Sequence, residues 1–307
     1  MRTVFFGTPR WAVPSLEALL ASDIEVAAVV TNPDRPAGRG MELRPSPVKE
    51  HALRAGLEVL QPQRARDLEF HDALEKLAPD VATVVAYGKI LPASLLVTPP
   101  LGFVNLHFSL LPEYRGAAPV QRAVMDGRSV TGISIMVLTE GMDEGPVLVT
   151  TEEPIRDDDT AGSLGDRLAA IGSASLVDAL AAYGTGDLIP VEQDHDRATY
   201  APKVTTEEAA IEWARPSLVI HNSVRGLNPV PGAWTTLRGK RLKIWATRPR
   251  TERDLAPGEL DMRDGALVAG TGDVPVELTE IQLQAKKPMS GVDAARGLRL
   301  ARGERFE

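Results

Sequence analysis

Short apolar runs rich in β-branched residues alternate, through the first half of this chain, with longer segments whose leucines recur at helical spacing. Residues 4–6, 25–31, 81–86, 103–107, 132–138 and 147–151 read as buried strands. Helical stretches fall around Leu16, Leu19 and Leu20 and over residues 47–55, 67–77, 118–125 and 163–182. A strand that reaches its neighbour only through a helical crossover pairs with it in parallel, and the helices must then cover the sheet. The pattern predicts the α/β class: a twisted, Rossmann-like, largely parallel sheet with helices on both faces. Gly7-Thr8-Pro9 predicts a tight turn in which Thr8 caps the first helix and Pro9 takes its first position. No Gly-x-Gly-x-x-Gly follows the first strand, which disfavours a nicotinamide or flavin cofactor.

Beyond Tyr183-Gly184-Thr185-Gly186 the helical pattern stops. Residues 1–188 read as one domain and residues 189–205, with Pro190 and Pro202, as a polar linker. Over residues 206–307, strand candidates at 233–237, 242–246, 266–269 and 274–284 are separated by Arg238-Gly239-Lys240, Pro257-Gly258, Asp264-Gly265 and Gly270-Thr271-Gly272-Asp273. Closely spaced strands with glycine turns predict a small β-barrel. Charge divides at the same place. Residues 1–205 carry −10 (18 basic against 28 acidic side chains) and residues 206–307 carry +2 (16 against 14). The tail is compatible with phosphate contacts, and equally with a balanced solvated surface. With no cysteine in the chain, disulfides, thiolate catalysis and cysteine-ligated zinc are excluded. No apolar run approaches the roughly 18–20 residues of a membrane span, and the chain starts directly on a strand, so a cytoplasmic protein with no membrane partner is expected.

Residues 103–107, taken as a strand, place Asn105 and His107 on one face and Leu106 on the other. An amide donor and an imidazole then converge. Acyl transfer needs such a pair, because the carbonyl oxygen gains negative charge as a nucleophile adds and must meet preplaced donors. Asp143, in Gly141-Met142-Asp143-Glu144-Gly145, brings a carboxylate able to orient the histidine or move the proton of the attacking group. An Asn-x-His is also an ordinary occurrence in a chain of 307 residues, so these residues alone leave both readings open. Ser109 lacks the Gly-x-Ser-x-Gly elbow of a serine hydrolase. His51, His71, His195 and His221 have no companion motif and are expected to be structural or surface residues.

Asn105-Leu106-His107-x-Ser109-Leu110-Leu111-Pro112, then Arg115-Gly116-Ala117-Ala118-Pro119, then Gly141-Met142-Asp143-x-Gly145, resemble the folate-dependent formyltransferases in order and spacing. The resemblance runs from Gly7-Thr8-Pro9 to Lys286-Lys287-Pro288-Met289-Ser290. It implies transfer of a formyl group from 10-formyltetrahydrofolate, a co-substrate, to an amine, with no metal and with Asn105, His107 and Asp143 as the catalytic residues. Tyr87-Gly88-x-Ile90-Leu91-Pro92 resembles the family's folate loop. Together with Ser109, Leu110, Leu111, Pro112 and Gly116, these residues are expected to bind the cofactor. Simple turn punctuation is the other reading of Gly88 and Pro92. The resemblance also implies that the tail barrel is of the oligonucleotide-binding type, entered through Arg225-x-x-Asn228-Pro229-x-Pro231-Gly232-Ala233-Trp234.

Members of the family differ in the amine that accepts the formyl group. The segment Asp34-Arg35-Pro36-Ala37-Gly38-Arg39-Gly40, continuing to Arg44-Pro45-Ser46-Pro47-Val48-Lys49, resembles the inserted loop of members that act on charged initiator tRNA. Arginines on a glycine-containing loop bind phosphates and stack on bases while ordering on contact. Arg35, Arg39, Arg44 and Lys49, with Arg238, Lys240, Lys243, Lys286 and Lys287 of the barrel, are therefore expected to bind tRNA, Arg241 beside them. The implied activity is formylation of the methionine on initiator tRNA for translation initiation, by a monomer without an obligatory protein partner. Two alternatives remain at this stage: a formyltransferase acting on a nucleotide sugar or other small amine, and a non-catalytic RNA-binding module.

Overall fold

The computed structural model describes residues 1–37, 42–251, 255–301 and 303–307. In chain order its first elements are β1 (Arg2–Gly7), α1 (Val13–Leu20), β2 (Glu25–Val30), β3 (Arg35–Ala37), β4 (Glu42–Arg44), α2 (Pro47–Arg54), β5 (Val59–Leu60) and α3 (Leu68–Leu77). They continue with β6 (Val81–Val85), α4 (Ala93–Leu96), β7 (Phe103–His107), α5 (Pro119–Met125), β8 (Val130–Val137), β9 (Val147–Pro154) and α6 (Ala161–Thr185). Contacts divide the chain into a first unit, Met1–Pro119, Val130–Pro154 and Gly165–Ala201, and a second, Val120–Ser129, Ile155–Leu164 and Pro202–Glu307.

The sheet of the first unit has the order β5-β2-β1-β6-β7-β8-β9. Pairing is parallel from β5 to β7, and β8 and β9 return antiparallel. The largely parallel expectation holds. The reversal at β8 was not readable, because its run is buried on both faces and carries no sign of direction. On one face Val4, Phe6, Phe70, Leu74, Tyr87 and Phe103 form a core, in which the Phe6 ring lies 5.4 Å from Tyr87 and 5.2 Å from Phe103. On the other, Leu106 meets α6 at Gly172, where an added Cβ would come within 2.7 Å of Leu106 Cδ2. Helix and strand thus touch backbone to side chain, and the side of β7 opposite Leu106 is left for Asn105 and His107.

Helix α6 qualifies the expectation about membranes, being long and apolar enough to span one by length and composition, with a mean hydropathy of 1.3. Asp166, Arg167 and Asp178 interrupt its sequence, and Leu168, Ala169, Leu176, Ala179 and Leu180 form a buried stripe. Thr8 also departs from expectation. A short 3₁₀ turn, Arg10–Ala12, intervenes before α1 and has no side-chain cap. Thr8 Oγ1 instead donates to the Tyr87 carbonyl (3.3 Å) and accepts from Asn32 Nδ2 (2.9 Å).

Residues 189–201, expected to be a linker, run along the first unit: Val191 and Val147 exchange backbone hydrogen bonds of 2.8 and 2.7 Å, and Ala201 N–H donates to Arg115 O at 2.7 Å.

The second unit contains α7 (Ser217–Gly226), β10 (Trp234–Leu237), β11 (Lys240–Pro249), β12 (Leu260–Arg263), β13 (Ala266–Ala269), β14 (Val276–Leu283), β15 (Met289–Ser290) and α8 (Gly291–Leu298). Its antiparallel sheet has the order β10-β11-β14-β13-β12, with β15 beside β14. Register shifts around Ala246 bend the long β11, as bulges do in barrel-type sheets. Trp213 stacks on Phe306 at 4.9 Å inside a core that also holds Ile220, Leu242, Ile244, Leu278 and Ile281.

Candidate active site

β7 ends in the interior of the first unit, with Asn105 8% and His107 6% exposed. Both lie on the face opposite Leu106, as alternation requires. Asp143 closes on His107 from the turn between β8 and β9: its Oδ2 lies 3.7 Å from His107 Nδ1. The imidazole and the carboxylate meet, and Asn105 shares the strand face of the imidazole.

Hydrogen bonds settle what each group presents. His107 Nε2 lies 2.9 Å from the Tyr114 carbonyl, which only accepts, so Nε2 carries a proton and Nδ1 is the nitrogen turned toward Asp143. Asp143 Oδ2 accepts the Gly116 backbone N–H at 2.8 Å. Gly116 has φ +117°, and an added Cβ would stand 2.9 Å from the Ala201 carbonyl oxygen, so only glycine brings its N–H to that carboxylate. Among the described residues no group hydrogen-bonds the Asn105 side chain, whose carboxamide is free to meet a ligand. The segment after β7 is built around Ser134, whose Oγ donates to Ser109 O (2.7 Å) and accepts from Leu111 N (3.0 Å).

Sequence reasoning missed Gln193. It lies in residues 189–201, is 8% exposed, and its Nε2 donates to the carbonyls of Asp143 (2.9 Å) and Gly145 (2.7 Å). Its Oε1 accepts from Nε and Nη2 of the buried Arg115 at 3.1 and 2.7 Å. Arg115 Nη2 also lies 3.3 Å from Nδ1 of His195, which is exposed on the outer side of this group. No motif marks Gln193; a polar residue in a segment without periodicity looks like solvent-facing linker.

The residues expected to hold a folate divide in two. Gly88 is exposed with φ +77° and open space where a Cβ would stand, and Ile90 is 85% exposed, so backbone and an apolar side chain are available there. Pro92, Leu110 and Pro112 are half-buried. Tyr87 corrects the expectation: its ring is in the core and its carbonyl is taken by Asn32 Nδ2 at 2.7 Å and by Thr8. Ser109 is fully buried, its Oγ donating to Glu113 O at 2.7 Å, while Leu91 and Leu111 are buried to about the same degree as Asn105. Gly116 serves Asp143.

Of the expected tRNA contacts, Arg35 and Arg44 are exposed and face each other across the β3–β4 ladder. Arg39 lies outside the described residues. Lys49 is a correction: its ammonium donates to Asp34 Oδ2 and Gln61 Oε1, both at 2.7 Å, and its bond to Asp34, with that of Gln61 Nε2 to Asp34 Oδ1, holds the Asp34 carboxyl below its ordinary range. Its charge steadies the base of the loop. Lys240, Lys286 and Lys287 are exposed. Arg238 is paired with Glu304, and Lys243 donates to Pro231 O at 2.7 Å beside the Trp245 ring, with partial burial lowering its pKa. Neither is a free cation. Arg241 stacks its guanidinium 3.6 Å from the Trp234 ring centre.

The formyl transferase family profile matches residues 1–180, and that of its C-terminal domain matches residues 203–299. A protein of Streptomyces griseus subsp. griseus named methionyl-tRNA formyltransferase is 52% identical over 306 residues, covering 99% of both chains. One of the same name from Thermobifida fusca is 47% identical over 100% of this chain and 99% of its own. In structure, the chain is similar to HypX from Aquifex aeolicus in complex with tetrahydrofolic acid (TM-score 0.64, 19% identity, 99% of this chain and 48% of that one). It is also similar to the sugar 3N-formyl transferase WlaRD, solved in the presence of dTDP and 5-N-formyl-THF (TM-score 0.66, 16% identity, 94% of this chain and 99% of that one). At these identities the two structures speak for the fold. The domain matches and the end-to-end sequence identity together place the chain in the formyl transferase family.

Proposed function

We propose that the chain transfers the formyl group of 10-formyltetrahydrofolate to the amino group of methionine on initiator tRNA, for translation initiation. The observation that carries the reading is the meeting of the His107 imidazole and the Asp143 carboxylate at the end of β7, on the strand face that also carries Asn105, in a chain about half identical to named methionyl-tRNA formyltransferases.

Asn105 donates to the formyl oxygen as the amine adds to the carbon and that oxygen gains charge. The nitrogen that attacks must lose a proton and the folate nitrogen that leaves must gain one. Asp143 takes the first, its carboxylate placed by Gly116. His107 supplies the second from Nδ1 as the imidazolium, because Nε2–H stays with Tyr114 O, and the proton that Asp143 has taken from the amine passes to Nδ1 to restore both groups. The exposed Gly88 and Ile90 give the folate a backbone edge and an apolar contact, with Pro92, Leu110 and Pro112 beside them. Among the described residues, Arg35, Arg44, Lys240, Lys286 and Lys287 are the expected cations left to meet tRNA phosphates. All three reacting groups come from one chain, which supports action as a monomer, and the reading places it in the cytoplasm.

The test is an acceptor comparison with labelled formyl donor. Label should pass to charged initiator tRNA far faster than to charged elongator tRNA, free methionine or an amino-sugar nucleotide. Faster transfer to the amino-sugar nucleotide would overturn the assignment of acceptor.

A further inference from the structure

We propose that Gln193 is a positioning residue for formyl transfer, holding the Asp143 turn in the conformation that brings its carboxylate to His107. The inference rests on the reading of Asp143 given above. An arginine offers donors only. Because both Nε and Nη2 of Arg115 point at one atom of the Gln193 amide, that atom is the oxygen and the amide cannot be turned over. The amide nitrogen must then face the carbonyls of Asp143 and Gly145, and it spends both protons there. By the same argument His195 Nδ1 accepts from Arg115, so the row begins in an exposed imidazole and ends at the turn.

Asp143 needs such a hold. Its φ of +51° is left-handed, a region that aspartate tolerates better than most side chains but still occupies at a cost, so contacts that hold it there matter. Gln193 fixes the carbonyl of that residue while the Gly116 N–H fixes its carboxylate. The segment that carries Gln193 is itself tied down by the paired bonds between Val191 and Val147. Displacement of a reacting group by about 1 Å costs up to about 100-fold in rate, so releasing the turn should appear in turnover rather than in substrate binding.

Two substitutions separate the contacts. Gln193→Glu keeps the acceptor for Arg115 but aims an oxygen at two carbonyl oxygens, and Gln193→Met fills the volume without donating. Full-length variants are assayed with kcat divided by the folded fraction from circular dichroism. Each should lose about 10- to 100-fold in kcat, with KM for 10-formyltetrahydrofolate and for charged tRNA within about twofold of wild type. In an Asp143→Asn background Gln193→Met should cost less than about twofold more, since both changes act through one carboxylate. Wild-type kcat per folded molecule in Gln193→Met, or its full loss repeated in the Asp143→Asn background, overturns the proposal. Should Gln193→Glu fail to fold, the neutral Gln193→Met decides alone. Wild-type turnover in Asp143→Asn would remove the reading of Asp143 itself, whereas a large loss there beside normal Gln193 variants would remove this inference only.

Discussion

Tyr87 carries a buried hydroxyl with no hydrogen-bond partner among the described residues, and burial pushes its pKa up to about 12 from 10.0. A phenol whose folded pKa is raised contributes stability that is complete below its unfolded value and is lost as pH rises through the folded one. The protein should therefore lose stability between pH 10 and about 12 in a way that Tyr87→Phe does not. At pH 7 the same variant should be as stable as wild type or gain about 1 kcal/mol in urea unfolding, because an unpaired buried hydroxyl is removed. A loss of more than about 1 kcal/mol at pH 7 would reveal a missing partner for the hydroxyl. The residue also shows why some of the site was misread. Ala86 has φ +49°, which turns the chain so that the Tyr87 ring enters the core, and nothing in the letters Ala-Tyr-Gly announces that turn. Asn105 and His107 were legible because strand periodicity alone sets their common face.

At the level of elements, one set of hydrogen bonds joins the base of the β3–β4 loop to the turn after β6. Lys49 and Gln61 hold Asp34, Gln61 Nε2 donates to Asn32 O at 2.9 Å, and Asn32 Nδ2 donates to Tyr87 O. Lys89, in the same turn, donates to the carbonyls of Pro62 and Gln63 at 2.8 and 3.0 Å. Asn32→Ala leaves the Tyr87 carbonyl without its shortest donor and loosens the Gly88 turn. KM for 10-formyltetrahydrofolate should rise by about five- to tenfold, the equivalent of one such bond, with kcat nearly unchanged. An unchanged KM would detach this network from the folate turn. The parallel strands and the long helices were readable from period and length. β3, β4 and α4 were not, since elements of three or four residues carry too little pattern, and residues 189–201 attach through two isolated bridges, Val191 to Val147 and Tyr200 to Arg115, that leave no periodic trace.

For the molecule as a whole, the uneven charge was legible and its meaning was not. Counting cations gave nine contacts for tRNA, yet Lys49, Arg238 and Lys243 are bound within the protein. Each phosphate contact releases counterions, so each lost contact lowers the dependence of log affinity on log salt by about 1. Joint substitution Lys286→Ala and Lys287→Ala should weaken tRNA binding and reduce that slope by about 1 to 2, while folate binding stays unchanged. A slope equal to wild type would remove this part of the barrel from the contact. The central claim is that Asn105 stabilises charge on the formyl oxygen. Single-turnover transfer from 10-formyltetrahydrofolate to charged initiator tRNA by Asn105→Ala measures it directly: the rate constant should fall about 10²- to 10³-fold with the Kd for tRNA unchanged. A rate equal to that of wild type would contradict the account.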